Sequence, residues 1–137
     1  MKKLLLSILT SSLLLSQVSS VLANETVVNT LLKEYESQGA KNASAQRGEI
    51  LWNKSFSGKA PFTERSCKSC HTANVKNTGK HVRTGKALEP LAPSVNQASL
   101  SDIKKVKKWF KRNCKWTTGE ECSPQVKADI LLFLQQQ

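Results

Sequence analysis

The chain has 137 residues, four cysteines and a formal net charge of +11, because 21 Lys and Arg side chains outnumber 10 Asp and Glu. A chain of this length fits one domain with a single modest core. It contains no internal repeat and no low-complexity linker, so nothing in it indicates a second domain.

The N-terminal segment has the features of a secretory signal peptide. Lys2 and Lys3 form a positive n-region, residues 4–15 are largely apolar, and small residues lead to a cleavage site after Ala23. The apolar stretch is short for a membrane span, although an uncleaved anchor is the alternative. Cleavage predicts an exported, periplasmic domain over residues 24–137 with a net charge of +9. In an exported protein this charge favours anionic lipid or an acidic protein as the binding partner over nucleic acid. The alternative is that the basic surface serves only solubility.

Two helices are predicted in the first part of that domain. Apolar residues recur at helical spacing over residues 25–38, and a shorter helix is predicted over residues 44–53. Residues 55–61 contain Ser, Gly and Pro and predict a loop.

The strongest motif of the chain is Cys67-Lys68-Ser69-Cys70-His71. Two cysteines separated by two residues and followed at once by histidine form the c-type haem attachment pattern. Each thiol forms a thioether with one haem vinyl group, and His71 is then held where its imidazole binds the iron. A redox dithiol and a zinc site are the alternatives, but zinc would need further ligands. The motif therefore predicts one covalent haem c.

The remainder of the domain is predicted as a loop followed by two helices. Residues 72–99 show little periodicity and predict a long loop around the haem edge. Ser101 is a predicted N-cap for a helix over residues 102–113, and Ser123 with Pro124 predicts the start of the last helix. The last helix has a wide apolar face and is expected to pack on the first, which gives an all-α haem domain.

The helix over residues 102–113 has two contrasting faces. Its apolar stripe consists of Ile103, Val106 and Phe110, at steps of three and four. Basic residues cover the other face: Lys104, Lys105, Lys107, Lys108, Lys111 and Arg112. Such a charge run is usually a solvated face, and the alternative is a docking surface for an acidic redox partner.

The sixth ligand of the haem iron cannot be methionine in the exported domain, because the only methionine is Met1. His81 is one candidate, and its alternative interpretation is an exposed loop histidine. Asn113 is another, because it extends the apolar stripe by one more step of three, where a polar group needs a partner. Asn113 is equally consistent with an ordinary helix-terminal asparagine.

Five segments carry a resemblance to a known family: Cys67-Lys68-Ser69-Cys70-His71, Arg83-Thr84-Gly85-Lys86, Leu91-Ala92-Pro93-Ser94, Lys108-Trp109-Phe110-Lys111-Arg112-Asn113-Cys114 and Glu121-Cys122-Ser123-Pro124. They resemble the oxygen-binding class I cytochromes c of the sphaeroides haem protein (SHP) type over nearly the whole exported domain. The resemblance implies a class I cytochrome c fold, a weak iron ligand at Asn113 and a disulfide between Cys114 and Cys122. It also implies redox partners such as a membrane b-type cytochrome or a dihaem cytochrome c.

Three functions are compatible with these observations. The first is a haem protein whose sixth position opens on reduction to bind O2 or another small diatomic ligand. The second is a bis-histidine electron carrier that uses His81. The third is a haem enzyme that acts on NO or peroxide, but no general acid or base stands out, since residues 24–137 contain only His71 and His81 as histidines. This favours binding or electron transfer, although haem can perform chemistry without such groups.

Overall fold

The computed structural model describes residues 24–137, so the predicted signal peptide and its cleavage site lie outside the described residues. Helix α1 covers residues 24–37. The other elements are, in chain order, α2 (Ala45–Asn53), β1 (Phe56–Ser57), β2 (Glu64–Arg65), α3 (Lys68–His71), β3 (Gly79–Lys80), β4 (Ala87–Leu88), α4 (Ile103–Thr118) and α5 (Pro124–Gln135). The strands form two separate antiparallel hairpins, β1 with β2 and β3 with β4. The prediction of a helical domain is confirmed.

Side-chain caps fix where three of the helices begin. Ser44 accepts a hydrogen bond from the backbone N–H of Arg47 and caps α2, as expected for a short polar side chain before the first turn. Ser123 caps α5 as predicted, with Pro124 in the first helical position. The predicted cap of α4 was wrong by one residue: Asp102 accepts from the N–H of Lys105 at 2.9 Å.

Helix α4 is longer than its sequence pattern predicts. It runs to Thr118, whereas the apolar stripe indicated an end near Asn113. The last turns continue because Cys114 and Thr117 are buried on the core side of the helix. Asn113 therefore lies inside α4, about one turn before its end, and the prediction that the helix ends at this residue was wrong.

The core is organised around a close crossing of α2 and α5. A Cβ added to Gly48 would lie 2.1 Å from the carbonyl oxygen of Asp129 and 2.7 Å from Cβ of Phe133, so only glycine permits this approach. Trp52 packs near Phe133, with ring centroids 6.0 Å apart. Helix α1 contributes Val28, Leu31 and Tyr35 to the same buried cluster. Helix α5 was expected to pack on α1, and residues of both helices lie in this cluster, among them Leu31 and Leu131. The close crossing of α5 with α2 was not predicted.

A buried carboxylate stabilises the crossing of α2 and α5. Asp129 is 1% exposed and accepts hydrogen bonds from Arg47 at 2.8 and 2.9 Å, from the N–H of Ser44 at 2.7 Å and from Gln125 at 3.0 Å. Burial alone would raise the pKa of Asp129, but these donors together hold that pKa below its usual range. The carboxylate therefore stays ionised and joins the N-terminus of α2 to α5.

The segment predicted as a long loop contains the β3–β4 hairpin. Backbone hydrogen bonds from Leu91 and Ala92 to the carbonyl of Val75 tie the two ends of this segment together. Val75 and Ala92 are buried in the core cluster. None of the helices described in residues 24–137 is long and apolar enough to cross a membrane.

Candidate haem site

The one-turn helix α3 that carries the cysteines is braced by two serines. Ser66 Oγ accepts from the N–H of Ser69 at 3.2 Å, and Ser69 Oγ accepts from the N–H of Ser66 at 3.0 Å. This reciprocal pair is a capping box, in which each side chain satisfies a backbone donor at the start of the turn. Ser66 is 4% exposed, so the brace is shielded from water. This brace was not predicted from the sequence, although the spacing Ser-x-x-Ser resembles the capping-box pattern.

Cys67 and Cys70 are each partly exposed, and neither takes part in a disulfide within residues 24–137. Burial raises the pKa of the Cys67 thiol to about 11, whereas redox-active cysteines have a lowered pKa. A disulfide joins Cys114 to Cys122, with their Cα atoms 5.5 Å apart, so these cysteines cannot complete a zinc site. Both alternatives to haem attachment are therefore disfavoured. The disulfide is the one that the family resemblance implies.

His71 ends α3 and has the properties of an iron ligand. Burial, followed by the nearby charge of His81, lowers the pKa of His71, which favours the neutral imidazole that metals bind. Its Nδ1 is buried and makes no hydrogen bond within the described residues. Trp52 packs 5.7 Å from the imidazole, centroid to centroid, and donates from Nε1 to the carbonyl oxygen of Thr72 at 2.9 Å. The residues present thus fit a haem group held by Cys67, Cys70 and His71.

The β3–β4 hairpin lies against this turn and carries His81. A Cβ on Gly79 would lie 2.2 Å from the carbonyl oxygen of Cys70, so glycine is required for the hairpin to approach the turn. His81 Nδ1 lies 3.3 Å from the backbone N–H of Thr84, which donates to it. The imidazole is thereby tied into its own hairpin beside the His71 turn. This position does not favour His81 as a ligand on the opposite side of a haem.

Asn113 lies on α4 beside the disulfide. Its side chain is exposed and forms no hydrogen bond with any residue from 24 to 137. Phe110, one turn earlier, packs edge-on against Tyr35 with ring centroids 6.4 Å apart. The apolar stripe of α4, together with Cys67 and Leu91, is only partly buried against the core. These groups offer apolar surface that a flat haem can cover, and Asn113 continues the stripe.

The opposite face of α4 is basic, as predicted, and surrounds an exposed tryptophan. Trp109 is 48% exposed, with Lys108 Nζ 5.8 Å and the Arg112 guanidinium 5.2 Å from its ring centroid. Lys107 instead pairs with Glu34 of α1 at 2.6 Å. The basic residues of this face are exposed, and Lys107 is the one that pairs with a carboxylate among the described residues.

The chain matches one family model and is similar to several known proteins. A family model described as a domain of unknown function (DUF1924) matches residues 38–134. Cytochrome c-type protein SHP of Cereibacter sphaeroides is 39% identical over 128 residues, which cover 92% of this chain and 98% of SHP.

Two solved structures give the same result. The structure of oxidized SHP, described as an oxygen-binding cytochrome c, matches with a TM-score of 0.73 and 39% identity over 80% of this chain and 96% of the other. The solution structure of Methylophilus methylotrophus cytochrome c'', described in terms of haem-ligand detachment, matches with a TM-score of 0.69 and 35% identity over 85% of this chain and 95% of the other. The fold is thus that of a class I cytochrome c, as expected. The chain belongs to the SHP-type class I cytochromes c, and its cofactor is haem c.

Proposed function

We propose that this protein is an exported, periplasmic cytochrome c in which Asn113 is a weak sixth ligand that leaves the iron on reduction. The vacated position then binds O2 or another small diatomic ligand. The observation that carries the proposal is the position of Asn113 on the partly buried apolar stripe of α4, with an amide that has no hydrogen-bond partner among residues 24–137. Residues 24–137 contain no methionine that could take this role. The description of SHP as an oxygen-binding cytochrome c supports the same reading.

The chemistry of an amide explains why such a ligand responds to oxidation state. Haem iron supplies the redox change and the ligand-binding position. The Asn113 amide is a neutral, hard donor, which binds ferric iron better than the softer ferrous iron. Reduction would therefore weaken binding of the Asn113 amide to the iron. Because Asn113 lies inside α4, its withdrawal requires a rotamer change or a small shift of the helix, and not fraying of a helix end.

The basic face of α4 is proposed to receive an acidic redox partner. Candidates by chemistry and by family resemblance are a membrane b-type cytochrome or a dihaem cytochrome c. Exposed charges of this kind act mainly on the rate of encounter, and salt screens them. This surface lies on the same helix as Asn113, so electron delivery and ligand binding would involve neighbouring parts of the molecule.

The experiment is a set of absorption spectra of haem-loaded protein, with and without CO. We expect a six-coordinate ferric state and a ferrous state that binds CO. Asn113→Ala should open the ferric site or fill it with water, whereas Asn113→Met should stabilise ferrous iron and suppress CO binding if its thioether reaches the iron. His81→Ala is the matched control and should leave all spectra as in the wild type.

The opposite pattern would replace the proposal. If His81→Ala changes the ferric spectrum and Asn113→Ala does not, the protein is a bis-histidine electron carrier. Turnover of NO or peroxide with a reductant, at rates above those of free haem, would instead identify a haem enzyme.

A further inference from the structure

One arginine joins the strand before the haem-binding turn to the end of α4. Arg65 Nη1 donates to the carbonyl oxygen of Trp116 at 2.8 Å, and its guanidinium lies 5.1 Å from the centroid of the Trp116 ring. Arg65 Nε donates to the carbonyl oxygen of Phe62 at 3.2 Å, and the Phe62 ring packs 6.2 Å from that of Trp116. We call Arg65, Phe62 and Trp116 the Arg65 clamp.

The carbonyl that receives this hydrogen bond belongs to the last turn of α4. The last four carbonyls of a helix have no partner within the helix, and the partial negative charge at that end attracts a cation. Arg65 supplies both a donor and a positive charge to Trp116. The indole beneath the guanidinium adds a cation–π contact that a shorter or uncharged side chain cannot make.

Arg65 is close in sequence to the haem-attachment motif, and Trp116 is close in sequence to the proposed sixth ligand. Arg65 precedes Cys67 by two residues, and the intervening Ser66 is buried and braces α3. Trp116 follows Asn113 by three residues, close to one helical turn. The clamp thus fixes the distance between the segment that binds haem covalently and the helix that carries Asn113.

We infer that Arg65 and Trp116 are positioning residues that hold Asn113 against the ferric iron and so set how readily the sixth position opens. This inference rests on the proposed function. The inference adds the residues that set how strongly Asn113 binds the iron. The amide is a weak ligand, so the fraction of protein in which it is bound depends on how firmly α4 is held in place.

The experiment measures imidazole binding to the ferric, haem-loaded protein, since imidazole must displace Asn113. Arg65→Ala should increase imidazole affinity about fivefold, the equilibrium factor of one ordinary hydrogen bond. Trp116→Leu keeps the carbonyl acceptor and removes only the ring contacts with Arg65 and Phe62, so its increase should be about two- to fivefold. Arg65→Lys should raise imidazole affinity less than Arg65→Ala does, because lysine retains the positive charge but lacks the several N–H donors of the guanidinium. Lys54→Ala is the control: Lys54 lies 5.2 Å from the Phe56 ring centroid, beside the same hairpin, and should have no effect.

A double variant tests whether the Arg65 clamp changes imidazole affinity through Asn113. The Arg65→Ala, Asn113→Ala double variant should bind imidazole no more tightly than Asn113→Ala alone, because the clamp acts through Asn113. Additive effects would overturn the inference, and so would wild-type affinity in both Arg65→Ala and Trp116→Leu. If Asn113→Ala itself leaves imidazole binding unchanged, the proposed function fails first, which separates its failure from that of the clamp. The rate at which dithiothreitol opens Cys114–Cys122 supplies a readout independent of iron, and it should rise in Arg65→Ala.

Discussion

Replacing Gly48 with alanine tests the helix crossing on which the haem domain is built. The added Cβ would lie 2.1 Å from the carbonyl oxygen of Asp129 and 2.6 Å from its carbonyl carbon. Ordinary contacts need at least about 3.5 Å, so α2 and α5 would have to separate by roughly 1.4 Å. Overpacking of this kind costs about 1–3 kcal/mol, and contact with rigid backbone atoms places it at the upper end.

A second effect of the same substitution acts in the opposite direction. Alanine favours a helix interior over glycine by about 1 kcal/mol. The net destabilisation is therefore about 2 kcal/mol, which lowers the melting temperature of a domain of this size by roughly 10 °C.

Thermal unfolding of ferric, haem-loaded protein, followed by circular dichroism, measures this change. Gln46→Ala is the matched control, because Gln46 is an exposed residue of α2 whose truncation should shift stability by less than about 0.5 kcal/mol. A Gly48→Ala melting temperature equal to or above that of the control would show that helix propensity dominates. The close approach of α2 and α5 would then be refuted.

Two further predictions concern charge. Because the folded-state pKa of Asp129 is depressed, its stabilisation is present above the unfolded pKa of about 3.9 and is lost as the pH falls through the folded-state value. Asp129→Asn should therefore lower the free energy of unfolding in urea by about 1–2 kcal/mol at pH 7. The difference from wild type should shrink below about pH 4, and a difference that stays constant with pH would contradict this prediction. Lys104→Glu with Lys108→Glu should slow reduction by an acidic partner in stopped-flow measurements, more at low salt than at high salt. Lys59→Glu with Lys76→Glu gives the same net charge change away from α4, and an equal slowing would assign the effect to net charge alone.

The sequence by itself determined the haem chemistry and the main helices. Cys67, Cys70 and His71 form a local motif, so the cofactor follows from five adjacent residues. Helical periodicity and caps are also local, which is why α2 and the start of α5 at Ser123 were correctly predicted. The family resemblance added the disulfide, which links positions only eight residues apart.

The tertiary structure decided what these elements pack against and where they end. Periodicity shows which face of a helix is apolar but not which partner covers it, so the crossing of α5 with α2 depended on the absence of a side chain at Gly48. Helix α4 continues past Asn113 to Thr118, and Cys114 and Thr117 are buried in this part of it. The contact of Arg65 with Trp116 spans 51 positions. Such contacts form only when the folded chain brings distant segments together, because no local pattern specifies the distance between them.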